Sequence, residues 1–439
     1  MDPKFFSVLS RLELDSSLVK QRGLDGQPEL TLFIQLIFAY NKGLGNSMAK
    51  QIKALVKPAM LRWARESLNF PISEAAKKIG VKPSKLSAWE SGESTPTIGQ
   101  LRKAAAVYKR PLAVFFLSQP PRDFDALKDF RRLPDPTRAV PSPELNLEIR
   151  RAHVRRETAL ELATALGIDP PRLRAVSSNL HDSDRLAQEA RQILGVSLQQ
   201  QCDWRGPYET LHGWIAALER VGVLVFQTGA VLLDEMRGFS ISAEPFPVIV
   251  VNAKDSPRGR VFTLIHEFAH ILIDRGGLCD LHTTLRAHNQ EEATEVFCNQ
   301  VAGTLLLPAT EFLGDPLVAR KAARASWEDS EIRTLADKYS VSQEVVLRRL
   351  LTLGRITESF YRQKRQELLD TYQRELQRGQ GGFAPYHVVK VRDLGRAFIR
   401  LVLEAYHTEI INSSDVAEML GVKLKHVPTI EQDVVDPAA

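Results

Sequence analysis

Apolar residues recur every three or four positions along most of this chain, a spacing that predicts amphipathic helices. Three short stretches break that pattern, because their apolar and β-branched residues run almost without interruption. They are Gly222–Gln227, Gly238–Ser242 and Pro247–Asn252, and we interpret them as strands. The sequence therefore predicts a mainly α fold with a small β-sheet (α+β), in which an all-α N-terminal domain precedes the strands and a helical region ends the chain.

The helix predicted directly after the third strand, Val261–Ile273, carries two histidines four residues apart. His266 and His270 would lie on one face of this helix, one turn apart, and that spacing can bind one Zn²⁺. Glu267, beside the first histidine, would then be the base of a hydrolytic site. The alternative is a helix that only exposes two histidines, since His-Glu-x-x-His also arises by chance.

A catalytic zinc site needs a third protein ligand and one open coordination position. The next predicted helix, Glu291–Leu307, offers three acidic residues near its start, and spacing alone does not choose among them. The loop Gly276–Asn289 between the two helices adds further candidates. The open set is Glu291, Glu292, Glu295, His282, His288 and, as a weaker candidate, Asp280.

Positive charge is concentrated near the N-terminus. Residues 48–118 hold 13 Lys and Arg against 4 Asp and Glu, a net charge of +9, whereas the whole chain carries +5, so the remainder carries −4 (5 − 9). Such a basic module is typical of a domain that faces phosphate. Its predicted helices are Pro58–Leu68, Glu74–Ile79 with Ser73 as N-cap, Pro83 or Ser84 to Glu90, Thr97–Tyr108 and Leu112–Leu117.

Two of these short helices, joined at Gly80, resemble the helix-turn-helix of the Cro/repressor-type (XRE) family. The resemblance rests on Ala75-Ala-Lys-Lys-Ile-Gly80-Val81, Leu86-Ser-Ala-Trp89-Glu-Ser-Gly92, Pro96 and Leu101. It implies that the second helix enters the DNA major groove. We predict that Trp89 is a core residue rather than a base-stacking one. The chain departs from the family pattern at Ile72, where a phosphate-binding Gln is common, and at Ala88, where Arg is common.

The side chains that the resemblance implies to face DNA offer few groups for hydrogen bonds to base edges. A domain that binds a protein partner, or that binds DNA only weakly, is therefore the alternative. The implied DNA-facing residues are Pro83, Ser84, Lys85, Ser87 and Ala88.

The segment around the two histidines resembles the ImmA/IrrE family of metallopeptidases over about residues 205–355. The matching runs are Arg260-Val-Phe-Thr-Leu-Ile-His-Glu-Phe-Ala-His-Ile-Leu and Glu295-Val-Phe-Cys-Asn-Gln-Val-Ala-Gly-Thr-Leu-Leu-Leu-Pro. The resemblance implies a zincin-like, gluzincin-type zinc metalloendopeptidase with Glu267 as general base, and Mn²⁺ is the alternative metal. It implies that His266, His270 and Glu295 hold the metal.

Two further residues of the second matching run have expected roles. Asn299 lies one turn after Glu295, where its side chain would orient that carboxylate. Cys298 is predicted to be a small buried core residue rather than an accidental ligand. The donor that would stabilise an oxyanion is not identified by the sequence.

The sequence predicts five regions. A weakly patterned extension, residues 1–47, ends before a second plausible start at Met48, and the helix-turn-helix domain spans 48–118. A Pro-rich linker follows at 119–145, then the metallopeptidase domain with a helical subdomain at 146–355 and a helical C-terminal region at 356–439. The apolar stripe of Gln343–Leu353 predicts support of the core. Charged residues of the helix predicted after the linker indicate a solvated face, namely Glu148, Arg150, Arg151, Arg155, Arg156 and Glu157.

Three cysteines far apart, the lack of a long apolar run and the lack of a signal sequence predict a cytoplasmic protein without membrane contact. The two resemblances together imply a DNA-associated regulatory zinc protease that cleaves a helix-turn-helix repressor of stress, DNA-damage or mobile-element genes. It would bind DNA through residues 48–118. The alternative is a DNA-binding transcriptional regulator or antitoxin-like repressor whose protease fold is a sensor or scaffold. Self-cleavage in the linker and a homodimer are further open hypotheses.

Overall fold

The computed structural model of the chain describes residues 53–120, 141–173, 182–273, 278–279, 290–378 and 384–435. The chain groups into two compact units, Met1–Arg150 and Arg151–Ala439. The proposed extension at 1–47, most of the Pro-rich linker, and the rival ligands Asp280, His282 and His288 lie outside the described residues. The mainly α architecture with one small sheet, as the sequence predicts, is confirmed.

The first unit is a bundle of short helices around a small apolar core. Gly80, with φ +81°, ends the second helix and makes the tight turn that the pattern predicts. Trp89 is 1% exposed and belongs to the core, as predicted. The predicted N-cap at Ser73 is wrong, because the helix begins one residue earlier, at Ile72, and has no side-chain cap. The helices are α1 (Pro58–Glu66), α2 (Ile72–Ile79), α3 (Pro83–Ser91) and α4 (Ile98–Tyr108), followed by a 3-10 turn at Leu112–Phe116.

A buried ion pair joins α1 to α3. Arg65 donates from Nε and Nη2 to the two carboxylate oxygens of Glu90, both at 2.8 Å, and from Nη1 to the carbonyl oxygen of Phe70. Both side chains are buried, so neither charge can be left alone without a large desolvation cost. This pair therefore fixes α3, the helix that carries the predicted DNA-facing residues, against the rest of the domain.

A long helix, α5 (Pro143–Leu166), begins within the last residues of the predicted linker. Its predicted solvated face is wrong where that face begins. Glu148 and Arg150 are 4% and 7% exposed. Arg150 donates to the carbonyl oxygen of Tyr108 and to the hydroxyl of Ser67, and its burial lowers its pKa to about 9. A charge pattern cannot reveal backbone acceptors that come from distant residues, and these acceptors are what make the burial of Arg150 tolerable.

The second unit contains a four-stranded sheet of order β1-β3-β2-β4. β1 runs parallel to β3, whereas β2 is antiparallel to both β3 and β4. The fourth strand is a two-residue piece that the sequence analysis assigns to a loop. The strands are β1 (Leu224–Thr228), β2 (Gly238–Ile241), β3 (Val248–Asn252) and β4 (Leu278–Cys279).

Helices of the second unit pack on both faces of this sheet. Val225, Ile249 and Val251 point into the main core, which they share with the helix that carries the two histidines. The helices before the sheet are α6 (Ser183–Leu194), α7 (Leu198–Asp203) and α8 (Pro207–Arg220), and those between and after its strands are α9 (Pro257–Leu272), α10 (Gln290–Leu306), α11 (Ala309–Leu313), α12 (Pro316–Ala319), α13 (Asp329–Lys338) and α14 (Gln343–Thr352).

The pair α13 and α14 supports the core, as predicted. Ile332, Leu335, Val345 and Leu350 are all buried in the same cluster as the sheet and α9. Ser342 caps α14 by accepting a hydrogen bond from the amide of Val345. Among the described residues, none of the helices combines the length and apolar character needed to cross a bilayer.

The C-terminal helices cover the other side of the sheet, a role that the sequence analysis did not assign. The rings of Phe398 and Phe226 meet edge to face, with centroids 5.8 Å apart. The sequence pattern also predicts a helix near Arg392–His407. The structure begins this helix at Arg396 rather than near Arg392, because the chain turns at Gly395, with φ +72°. A Cβ there would lie 2.3 Å from the carbonyl oxygen of Val225, so only glycine allows this approach. The helices are α15 (Glu358–Arg378), α16 (Tyr386–Leu394), α17 (Arg396–His407), α18 (Ser413–Leu420) and α19 (Val427–Val435).

Candidate metal centre

The two histidines lie on α9, a helix that is buried along almost its whole length. Ser256 caps it by accepting a hydrogen bond from the amide of Gly259, and Pro257 occupies its first turn, where no amide donor is needed. Every residue from Arg260 to Leu272 is buried, because β2, β3, α8 and α10 all pack against this helix. A helix enclosed in this way holds its side chains rigidly.

His266, His270 and Glu295 converge on one point. The Nε2 atoms of the two histidines are 3.2 Å apart, and each lies 3.2 or 3.3 Å from an oxygen of the Glu295 carboxylate. Among the described residues, these three side chains are the group whose ligand atoms lie close enough together for one ion. The histidines come from α9 and the carboxylate from α10, so two packed helices form the cluster.

The spacing of these atoms fits a tetrahedral metal. Nitrogen ligands at about 2.0–2.1 Å from a tetrahedral Zn²⁺ are separated from one another by about 3.3 Å. The two Nε2 atoms, 3.2 Å apart, match that separation, and each lies at a similar distance from a different oxygen of the Glu295 carboxylate. The spacing of the three side chains therefore fits one metal ion, which they would hold together.

The protonation states favoured by the surroundings also suit a metal. Burial lowers the pKa of His266, which keeps the imidazole neutral. Burial opposes ionisation of Glu295, but hydrogen bonds and charge interactions with His266 and His270 outweigh it and lower the carboxyl pKa below its usual range. A neutral imidazole at His266 and an ionised carboxylate at Glu295 are forms that coordinate cations.

The remaining predicted site residues lie close by along the same helices. Glu267 is 0% exposed and faces β2, where Gly238 leaves room for its carboxylate. Asn299 is buried one turn after Glu295 on α10. Cys298 is fully buried in the core, as predicted, and burial raises the pKa of its thiol.

Three polar side chains donate hydrogen bonds to the C-terminal end of α10, and the sequence pattern does not predict them. Arg191 donates to the carbonyl oxygen of Leu305, Gln201 to that of Leu306 and Arg349 to that of Leu307. The last carbonyls of a helix have no partner within it. These donors, from α6, α7 and α14, therefore satisfy the end of the helix that carries Glu295.

The predicted DNA-facing residues lie together on α3. Pro83, Ser84, Lys85 and Ser87 are exposed and Ala88 is partly exposed, while Leu86 between them is buried. The ammonium of Lys85 lies 5.9 Å from the ring centre of Trp89. One face of α3 is therefore held in the core and the opposite face is accessible.

Comparison with known families agrees with both parts of this description. Residues 218–351 match the Peptidase_M78 family, described as the IrrE N-terminal-like domain, and residues 61–115 match the family described as helix-turn-helix. Both resemblances expected from the sequence are confirmed. The chain thus joins a helix-turn-helix domain to a metallopeptidase-type domain. No curated protein matches the chain.

Proposed function

We propose that this protein is a DNA-associated regulatory zinc metalloendopeptidase that cleaves a helix-turn-helix transcriptional repressor. The observation that carries the proposal is the convergence of His266, His270 and Glu295, with Glu267 on the same helix as the two histidines. Zinc peptidases with a His-Glu-x-x-His motif use this arrangement of two imidazoles, one carboxylate and one adjacent base. The match of residues 218–351 to a peptidase family supports it.

In this proposal His266, His270 and Glu295 hold the metal and Glu267 moves the proton. A bound Zn²⁺, or Mn²⁺ as the alternative, would supply Lewis-acid chemistry. Glu267 takes a proton from the attacking water as general base and later delivers it to the leaving amine of the peptide. Asn299 orients the carboxylate of Glu295, and the apolar packing around α9 keeps bulk water away from these groups.

The regulatory part of the proposal rests on the basic domain. Residues 48–118 carry a net charge of +9, and the exposed face of α3 presents Ser84, Lys85 and Ser87. We propose that this face binds DNA and brings the protease to a DNA-bound substrate in the cytoplasm. A repressor with its own helix-turn-helix is the substrate that such recruitment would serve, in a stress, DNA-damage or mobile-element response.

The test is incubation of the purified protein, loaded with Zn²⁺ or Mn²⁺, with the repressors encoded by neighbouring genes. Cleavage fragments seen by mass spectrometry with the wild-type protein, and their loss with Glu267→Gln, would support the proposal. Equal cleavage by both proteins would overturn it, as would intact repressors throughout. The intact mass of the metal-loaded protein tests self-cleavage in the linker.

A second function is favoured by the depth of the metal centre. His266 and His270 are 0% and 3% exposed, so the ligands are buried beneath the surface. The protein would then be a DNA-binding regulator or antitoxin-like repressor, whose protease fold acts as a sensor or scaffold. This function predicts tight operator binding and a regulatory phenotype that Glu267→Gln leaves unchanged.

A further inference from the structure

A cationic side chain lies beside the candidate metal centre. Arg348 on α14 places its Cζ 5.9 Å from the ring centre of Phe262, and that ring lies 6.3 Å from the ring of His266, centroid to centroid. Burial is the main cause of the lowered pKa of His266, and the charge of Arg348 adds to it. Arg348 therefore lies close enough to His266, a proposed metal ligand, for its positive charge to act on this imidazole.

The internal partner of Arg348 holds it loosely. Its Nη2 lies 3.5 Å from Oε1 of Glu344, which is longer than an ordinary charged hydrogen bond. The same oxygen accepts a shorter hydrogen bond, of 3.0 Å, from Arg365. Glu344 keeps its shorter hydrogen bond with Arg365 when Arg348 moves away. Arg348 can therefore exchange Glu344 for a carboxylate of a ligand with little loss of free energy.

A third arginine extends the positive charge along this side of the site. Arg237 immediately precedes Gly238, the residue that faces Glu267, and its charge also acts on Glu344. Arg237 is paired with Asp255 at 3.1 Å. The charges of three arginines, Arg237, Arg348 and Arg365, therefore act on the single carboxylate of Glu344. The side chain of Arg348 is 19% exposed, so a ligand can reach it.

We propose that Arg348 is a specificity-determining residue that binds a carboxylate of the substrate, so that cleavage favours Asp or Glu near the scissile bond. This inference rests on the proposed peptidase function. A guanidinium presents parallel N–H donors that match a carboxylate in a bidentate way. The ring of Phe262 lies within cation–π distance of the group, at 5.9 Å.

The experiment is digestion of a proteome-derived peptide library by the Zn²⁺-loaded protein, followed by sequencing of the cleavage sites. Enrichment of Asp or Glu close to the cut is expected. For one acidic peptide chosen from the library, Arg348→Gln should lower kcat/KM by about 10- to 100-fold, the range of one hydrogen bond to a charged group. The same peptide with Gln in place of the acidic residue should be cut equally by both proteins.

Two variants sharpen the result. Arg348→Glu should shift the preference towards Lys or Arg at the same position. Arg362→Gln makes the same charge change as Arg348→Gln, at a side chain that is 74% exposed and paired with Glu358 on α15, and it should leave the preference unchanged. Urea denaturation of each variant shows whether a loss of activity is a loss of folding.

A binding measurement separates failure of this inference from failure of the proposed function. Fluorescence anisotropy of labelled acidic peptides with the Glu267→Gln protein needs no turnover, and Arg348→Gln in that background should weaken binding by the same factor. No cleavage of any peptide would contradict the peptidase function, and the binding assay then decides the inference. Cleavage or binding without an acidic preference, or a preference that survives Arg348→Gln, would overturn it.

Discussion

Gly238 on β2 faces Glu267 on α9 so closely that a side chain at residue 238 would collide with the helix. A Cβ there would lie 3.2 Å from Oε1 of Glu267 and 2.4 Å from Cγ2 of Thr263. The strand therefore rests directly on the two turns of α9 that precede and contain the proposed base. The position of Glu267 depends on a residue that has no side chain.

Replacing Gly238 by alanine should displace α9. Thr263 is β-branched and stiff in a helix, so it cannot easily rotate away from the new methyl group. We expect Gly238→Ala to lower the free energy of unfolding by about 1–3 kcal/mol, as overpacking does, and to weaken metal binding. Urea denaturation measures the first effect. Thr263→Ala in the same chain removes the colliding methyl and should restore stability; an additive loss in the double variant would contradict this account.

Removal of the carboxylate ligand should abolish metal retention. Glu295→Gln replaces an anionic ligand by a neutral amide, so after dialysis we expect much less zinc per chain, measured by elemental analysis, than in the wild type. Added zinc at about 100 times its Kd should stabilise the wild-type fold by about 2.7 kcal/mol and the variant by far less. Glu311→Gln, at an exposed residue on α11, is the control. Equal zinc content in both variants would argue against Glu295 as a ligand.

Gln201 should matter for stability although it is far from any proposed chemistry. Its amide, 0% exposed, donates to the carbonyl oxygens of Leu306 and Tyr339. Gln201→Ala leaves both carbonyls buried without this donor, and we expect a loss of about 2–4 kcal/mol in the free energy of unfolding. Gln199→Ala, at an exposed residue of the same helix, should cost far less. Similar losses in urea for the two variants would refute the assigned role.

Glu219 should make the stability of the second unit fall as the pH rises. Burial raises its pKa to about 7 from 4.5, although the amides of Arg396 and Ala397 oppose this. Between these two pH values the folded state keeps a proton that the unfolded state has lost, so stability decreases across this window and is level above it. Glu219→Gln should remove this dependence and be more stable than wild type at pH 8 by up to about 3 kcal/mol. Urea denaturation at pH 4.5 and pH 8 measures the free energy of unfolding of both proteins. If the variant differs from the wild type by the same amount at both pH values, the assigned role of Glu219 is wrong.

Lys85 should contribute to DNA affinity through charge. If it contacts a phosphate, Lys85→Ala should lower the slope of log affinity against log salt concentration by about 1. Fluorescence anisotropy with duplex DNA at several salt concentrations measures the slope. Lys103→Ala, at an exposed residue on α4, makes the same charge change outside α3. An identical effect of both substitutions would show that only net charge matters.

Local patterns were enough to predict the parts of the site that lie close together in the chain. The strands and the helix with His266 and His270 follow from periodicity, and both family resemblances follow from short motifs. Glu295 could be chosen from its neighbours only by resemblance, because spacing within α10 does not show which acidic residue turns towards α9.

Contacts between distant residues could not be predicted in this way. Gln201 and Tyr339 are 138 positions apart, and neither local sequence predicts the hydrogen bond between them. The same holds for Gly395, whose approach to Val225 places the start of a predicted helix at Arg396, and for Arg150, whose charge pattern suggests solvent although its partners are a carbonyl and a hydroxyl. In each case the contacting group belongs to a residue that is distant in the chain.

The hydrogen bonds to the carbonyl groups at the end of α10 can form only late in the synthesis of the chain. A chain made from its N-terminus releases His266, His270 and Glu295 from the ribosome before Tyr339 and Arg349. Arg349 from α14 holds the carbonyl of Leu307, and Tyr339 shares the amide of Gln201 with Leu306. A nascent chain that ends before these residues therefore has all three proposed ligands but lacks these contacts at the end of α10. If the three side chains hold a metal as proposed, we expect firm capture to follow the synthesis of α14, and a chain terminated before α14 to retain less of the ion.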